Sequence, residues 1–160
     1  MDIKFLVSAL QMAGDQAKSS FEQEKYKNVD ISHPEVFEKS FKELVIEEDL
    51  LCEKIIISEI ERNGPKGTIY SEEMNTIDDI VQDTSELKYL IDPLDGTHNF
   101  FFGLPLWGLA VAILNKNNVP IAGVIFLPMM DLLLKCEGPN HKTEAWIDKK
   151  WLPVSTHKKP

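Results

Sequence analysis

"WGLAVAILNKNNVPIAGVIFL", residues 107–127, is the stretch that decides how this chain folds. Two apolar runs flank Lys116-Asn117-Asn118, polar residues suited to a tight reversal, so the stretch reads as a β-hairpin. In the first run Leu109, Val111 and Ile113 share one face, and Ala110, Ala112 and Leu114 share the other. The second run sets Ile121, Gly123 and Ile125 against Ala122, Val124 and Phe126. A strand with one wet face alternates apolar and polar residues. These alternate apolar with apolar, which requires cover on both faces of the sheet.

Working outward, five more short apolar runs follow the same grammar: "TIYS" (68–71), "LKYLI" (87–91), "DLLLKC" (131–136), "EAWI" (144–147) and "WLPV" (151–154). Between the first two lies "MNTIDDIVQDTSE" (74–86), an acidic stretch that reads as a solvated, mobile loop. Upstream of Gly67 the period changes. Ile3, Leu6, Val7, Leu10, Ala13, Ala17 and Phe21 recur at helical spacing and predict an amphipathic helix over about 2–25. Ser32 and Glu35, with Pro34 between them, form a capping-box pair for a second helix. That helix runs to about Arg62, where Asn63-Gly64-Pro65 ends it. The expected architecture is one α+β domain over residues 1–160, with two N-terminal helices packed on a mostly antiparallel sheet. Those helices can cover one face, and nothing else in the chain covers the other.

Composition narrows the function classes. The 160 residues carry a net charge of −9, which argues against nucleic-acid binding through Lys and Arg. No segment approaches the ~18 apolar residues of a membrane span. Cys52 and Cys136 stand far apart without C-x-x-C spacing, and read as buried thiols of a reducing, cytoplasmic compartment. An acidic protein acting on an anionic substrate needs a bridging cation.

The carboxylates show where that cation would sit. Asp92 and Asp95 in "LIDPLDGTHNFFFG" (90–103) follow directly on an apolar strand. Taken alone, D-P-x-D-G-T is also a common turn in which Asp95 or Thr97 caps a short helix. Glu72 and Glu73, however, leave another strand end as a second acidic pair. Asp49 shares a helical stripe with Phe41, Val45, Cys52 and Ile56, which places a carboxylate on the core side or at the stripe's edge. Carboxylates converging at strand ends repel one another unless a hard cation joins them, and Mg2+ suits carboxylate, carbonyl, water and phosphate oxygens. The four histidines have no zinc-ligand spacing. If a short helix starts near Thr97, the amides of Gly96 and Thr97 make a phosphate seat, with Phe100 to Phe102 anchoring the turn in the core.

"IDPLDGTHNF", preceded by "SEEMN" about twenty residues upstream, closely resembles the metal-binding signature of the inositol monophosphatase family of Mg2+-dependent, lithium-sensitive sugar phosphatases. The order of elements agrees over nearly the whole chain. The resemblance implies that Glu72, Asp92, Asp95 and the Leu94 carbonyl ligate Mg2+, for which Mn2+ can substitute. It implies that Glu72 and Thr97 activate the attacking water, that Asp49 supports Thr97, and that Gly96 and Thr97 hold the phosphate. The implied reaction is in-line hydrolysis of a phosphate monoester of inositol or a similar sugar or polyol. His98 departs from the small hydroxyl residue usual in the family. The resemblance covers only an N-terminal half, so the expected partner is a second copy, as a homodimer, or a C-terminal half. Two alternatives stand beside it: a non-catalytic remnant or interaction module, and a related bisphosphate nucleotidase.

Overall fold

Every run read as a strand is a strand in the computed structural model, which describes residues 1–23, 34–72, 77–138, 143–147 and 150–154, with backbone alone at 34–46 and 77–78. They are β1 (Thr68–Ser71), β2 (Leu87–Asp95), β3 (Gly108–Asn115), β4 (Pro120–Leu127), β5 (Leu132–Cys136), β6 (Glu144–Ile147) and β7 (Lys150–Pro153). The seven lie side by side in chain order. β1 and β2 are parallel, and every later pair is antiparallel. The β3–β4 reversal falls at Lys116–Asn118 as expected. Asn115 Oδ1 accepts the amides of Asn117 and Val119, and Asn118 takes a positive φ of 58°. Asparagine tolerates that conformation better than most residues.

Helices α1 (Lys4–Glu22) and α2 (Pro34–Asn63) cover one face of the sheet. On that face Leu109 stands opposite Phe126, Val111 opposite Val124, and Ile113 opposite Ala122. All six are buried, as are Tyr89 and Ile91 beside them on β2. The helical stripe supplies the opposing layer: Leu6, Ala9, Leu10, Ala13 and Ala17 of α1 have no exposed surface, nor do Cys52 and Ile56 of α2. Each large aliphatic side chain buried in this way contributes about 1.5–3 kcal/mol. Alanines and Gly14 on α1 let the helix approach β4 closely. A Cβ at Gly14 would lie 2.5 Å from the Phe126 ring.

Among the described residues the opposite face carries only a short helix and is otherwise open, although its strands are apolar there too. Leu90, Ala110, Ala112, Gly123, Ile125 and Leu134 floor an open trough of about 630 Å3, and Ile125 is 45% exposed. No helix among the described residues is long and apolar enough to cross a membrane.

Three expectations are corrected. The acidic stretch holds a short helix, α3 (Ile77–Gln82), whose Ile80 packs over the trough. Helix α1 stops at Glu22, because Gln23 turns to extended backbone. Phe102 is half-exposed and leaves Phe100 and Phe101 as the buried anchors. The Ser32–Glu35 capping pair, Glu73, His33, His141 and His157 lie outside the described residues or side chains.

Candidate active site

Pro93 shapes the site. It has no N–H to continue the ladder, and the β2–β3 register shifts there: Asp92 stands opposite Ala110, but Asp95 stands opposite Gly108. The bulge buries Pro93 and Leu94, leaves Asp92 half-buried, and brings Asp95 out into the open. Gly96 then turns the chain with φ +86°, where a Cβ would lie 3.0 Å from the Leu106 carbonyl. This is a left-handed turn on a crowded floor, which glycine alone adopts without strain. A short helix, α4 (Thr97–Phe101), follows as expected, with the Phe100 amide donating to the Gly96 carbonyl at 3.0 Å. Phe100 is locked between Phe21 and Trp107, with ring centroids 5.4 and 5.0 Å away.

Glu72 reaches the same place from β1. Its backbone amide donates to the Ile91 carbonyl at 3.1 Å, which carries the β1–β2 pairing one residue past the strand and sets Glu72 beside Asp92. The consequence shows in Asp92. Burial, then the charges of Glu72 and Asp95, push its carboxyl up to about 6, against a weaker pull from the Leu94 amide. Asp49 is buried on α2, which packs against both β2 and α4. The core-side reading of Asp49 is therefore the observed one. Burial, then the charges of Glu48 and Asp49, push the neighbouring Cys52 thiol up to about 12.

The structure thus gathers Glu72, Asp92 and Asp95 at one end of the sheet, with Gly96 and Thr97 next along the chain and Asp49 on an adjoining helix. Among the described residues, no three His, Cys, Asp or Glu side chains close into a metal-ligating cluster. The donor chemistry nevertheless fits a hard cation. Three carboxylates and the Leu94 carbonyl are all oxygen donors, and Asp92 carries the mutual repulsion that a divalent ion would relieve.

Lys88 escaped the sequence reading. It is fully buried, with Nζ donating to the Asn118 Oδ1 at 2.6 Å and to the Ile80 carbonyl at 3.3 Å. The available signal was strand alternation, which puts Lys88 on the trough face with Leu90 and Asp92.

Residues 2–158 match the inositol monophosphatase family. The chain belongs to that family. It is 29% identical over 150 residues to inositol monophosphatase 1 of Solanum lycopersicum, covering 94% of this chain and 50% of the tomato protein. It is 37% identical over 83 residues to a fructose-1,6-bisphosphatase of Pyrococcus furiosus, covering 52% of this chain and 30% of that one. The crystal structure of the extragenic suppressor protein suhB from Bartonella henselae superposes with a TM-score of 0.67 at 25% identity, over 98% of this chain and 55% of the other. The chain spans about half the length of relatives that it matches along most of its own length. The suhB structure shares the α+β layering described above over the superposed length.

Proposed function

We propose that this chain supplies the carboxylate-bearing, N-terminal half of a Mg2+-dependent phosphomonoesterase acting on inositol monophosphate or a similar sugar or polyol phosphate. One observation carries the reading: at the rim of the trough the half-buried Asp92 is crowded by Glu72 and Asp95, and burial, then those two charges, raise its carboxyl to about 6. A protein of net charge −9 gains nothing from that crowding in a purely structural role.

In this reading Glu72, Asp92, Asp95 and the Leu94 carbonyl hold the cation. When bound, Mg2+ or Mn2+ acidifies water and neutralises charge on the leaving oxygen. The chain's own groups do the rest. The Glu72 carboxylate accepts a proton from the attacking water, and the Thr97 hydroxyl orients that water. Asp49, from the helix behind, holds Thr97 in place. The Gly96 and Thr97 amides donate to phosphate oxygens. In-line attack then forms a bond from the water oxygen to phosphorus as the bond to the alcohol oxygen breaks, and that oxygen takes a proton from solvent, releasing inorganic phosphate and the free polyol.

Calorimetric titration of Mg2+ and Mn2+ tests the metal assignment. Asp92→Asn and Asp95→Asn should each abolish the binding heat, and unchanged affinity would overturn the assignment. The 160-residue protein alone should show little or no lithium-sensitive release of phosphate. Robust turnover would show that no second half is needed.

The uncovered trough favours a second reading, an interaction module that pairs with another copy of itself or with a separately supplied C-terminal half. Light scattering with intact mass separates them: a dimer supports self-pairing, and a monomer that gains mass only with added C-terminal half supports complementation. The two free thiols fit a cytoplasmic setting for either reading.

A further inference from the structure

A six-residue helix cannot hold itself together in water. Helix α3 nevertheless sits across the open sheet face, and its Ile80 walls the same cavity that Glu72 and Asp92 line. Two side chains from the strands beneath fasten it. Tyr70 of β1 donates its hydroxyl to the Asp79 carbonyl at 3.3 Å, and Lys88 of β2 donates to the Ile80 carbonyl at 3.3 Å. Both carbonyls lie in the last turn; that of Asp79 also accepts the Asp83 amide at 3.2 Å, and a cation at the Ile80 carbonyl complements the helix dipole.

Lys88 does more than cap. Its second hydrogen bond, to Asn118 Oδ1 at 2.6 Å, ties α3 to the β3–β4 turn across β2. Both of these partners are uncharged, and a fully buried ammonium held by neutral acceptors is costly to maintain for packing alone. Helix α3 begins five residues after Glu72, which ends the β1 pairing.

We propose that Lys88 is a positioning residue for Glu72: with Tyr70, two residues before Glu72 on β1, it fixes α3 on the open face, so that Ile80 walls the cavity beside Glu72 and confines its carboxylate toward Asp92. The proposal rests on the metal-site reading above and adds to it a second layer of control, through a lysine that touches neither substrate nor metal.

The test uses the full chain with Lys88→Met, Lys88→Arg and Tyr70→Phe, each titrated with Mn2+ and followed by amide hydrogen exchange. Folded Lys88→Met should lose about tenfold in Mn2+ affinity, as outer-shell changes do. Exchange at the Glu72 amide should quicken. Lys88→Arg, which keeps the donors, should recover part of both losses. Unchanged Mn2+ affinity together with unchanged Glu72 exchange in Lys88→Met would overturn the proposal. If Lys88→Met does not fold, Tyr70→Phe decides in the same way, with smaller effects in the same direction expected. If the wild-type chain binds no Mn2+, the phosphatase reading fails. The clamp is then judged by Glu72 exchange alone, faster exchange sustaining it and unchanged exchange refuting it.

Discussion

Asp92 faces Ala110 across the β2–β3 ladder on the sheet face turned away from the helices, where an alanine leaves room above the carboxylate. The residues on either side in this pairing, Ile91 and Val111, point into the core. The acid therefore sits at the junction of a dry sheet and an open trough, with Glu72 and Asp95 beside it. Its position is a compromise between burial and reactivity, and several consequences can be measured.

The first concerns pH. The Asp92 carboxyl is raised from 3.8 to about 6 in the fold. A raised acid binds its proton more tightly in the native state than in the unfolded chain. This group therefore lowers stability as pH rises from about 4 to 6, and the loss persists above 6. The shift corresponds to ~3 kcal/mol before screening, and to about 1–2 kcal/mol at a half-open site. In metal-free buffer at pH 7, Asp92→Asn should melt about 2–8 °C above wild type. The difference should shrink below pH 4. A thermal-melt series over pH 3.5–7.5 checks it, and a lower melting point for Asp92→Asn at pH 7 would contradict it.

A bound divalent cation should reverse that ordering. Ligands that bind only the native state stabilise it by mass action, about 2.7 kcal/mol at a hundredfold excess over Kd. Saturating Mg2+ should thus raise the wild-type melting temperature, and chelator should return it to the metal-free value. Asp95→Asn, which removes an exposed carboxylate, should melt normally but lose the Mg2+ response.

Close contact between α1 and β4 gives a stability prediction independent of chemistry. At Gly14 a new Cβ would meet Phe126 at 2.5 Å and Pro128 at 2.8 Å. Overpacking of this kind costs about 1–3 kcal/mol. Gly14→Ala should lower the denaturation midpoint accordingly.

The open face predicts stickiness. Ile125 is 45% exposed in the floor of an apolar trough, so the chain should bind a hydrophobic dye and associate at high concentration. Ile125→Glu should weaken both while changing stability by no more than about 0.5 kcal/mol. Dye fluorescence and light scattering on the two proteins provide the check.

Much of this was legible without coordinates. The seven strands, the hairpin at Lys116–Asn118, the extents of both long helices to within a few residues, and the bare second face all follow from alternation and turn chemistry. Those signals are local, and a side chain's face depends only on its place in the pattern. The acidic residues of 74–86 misled for the same reason. Their composition says loop, but α3 forms where the paired strands on either side of it in the chain set Tyr70 and Lys88 against its last-turn carbonyls. Phe102 was assigned to the core by its neighbours, although a five-residue helix has too few turns to bury three consecutive phenylalanines.

The carboxylate types and their order along the chain were written in the primary structure, because a bulge at proline and a left-handed glycine need only adjacent residues. How closely Glu72, Asp92 and Asp95 crowd one another was not, nor was the burial of Lys88, and the helical stripe left Asp49 between the core side and the edge until packing decided it. Those depend on strands and helices far apart in the chain packing to within a few ångströms. Desolvation and charge repulsion act on distance in space, so they arise only once the sheet has assembled.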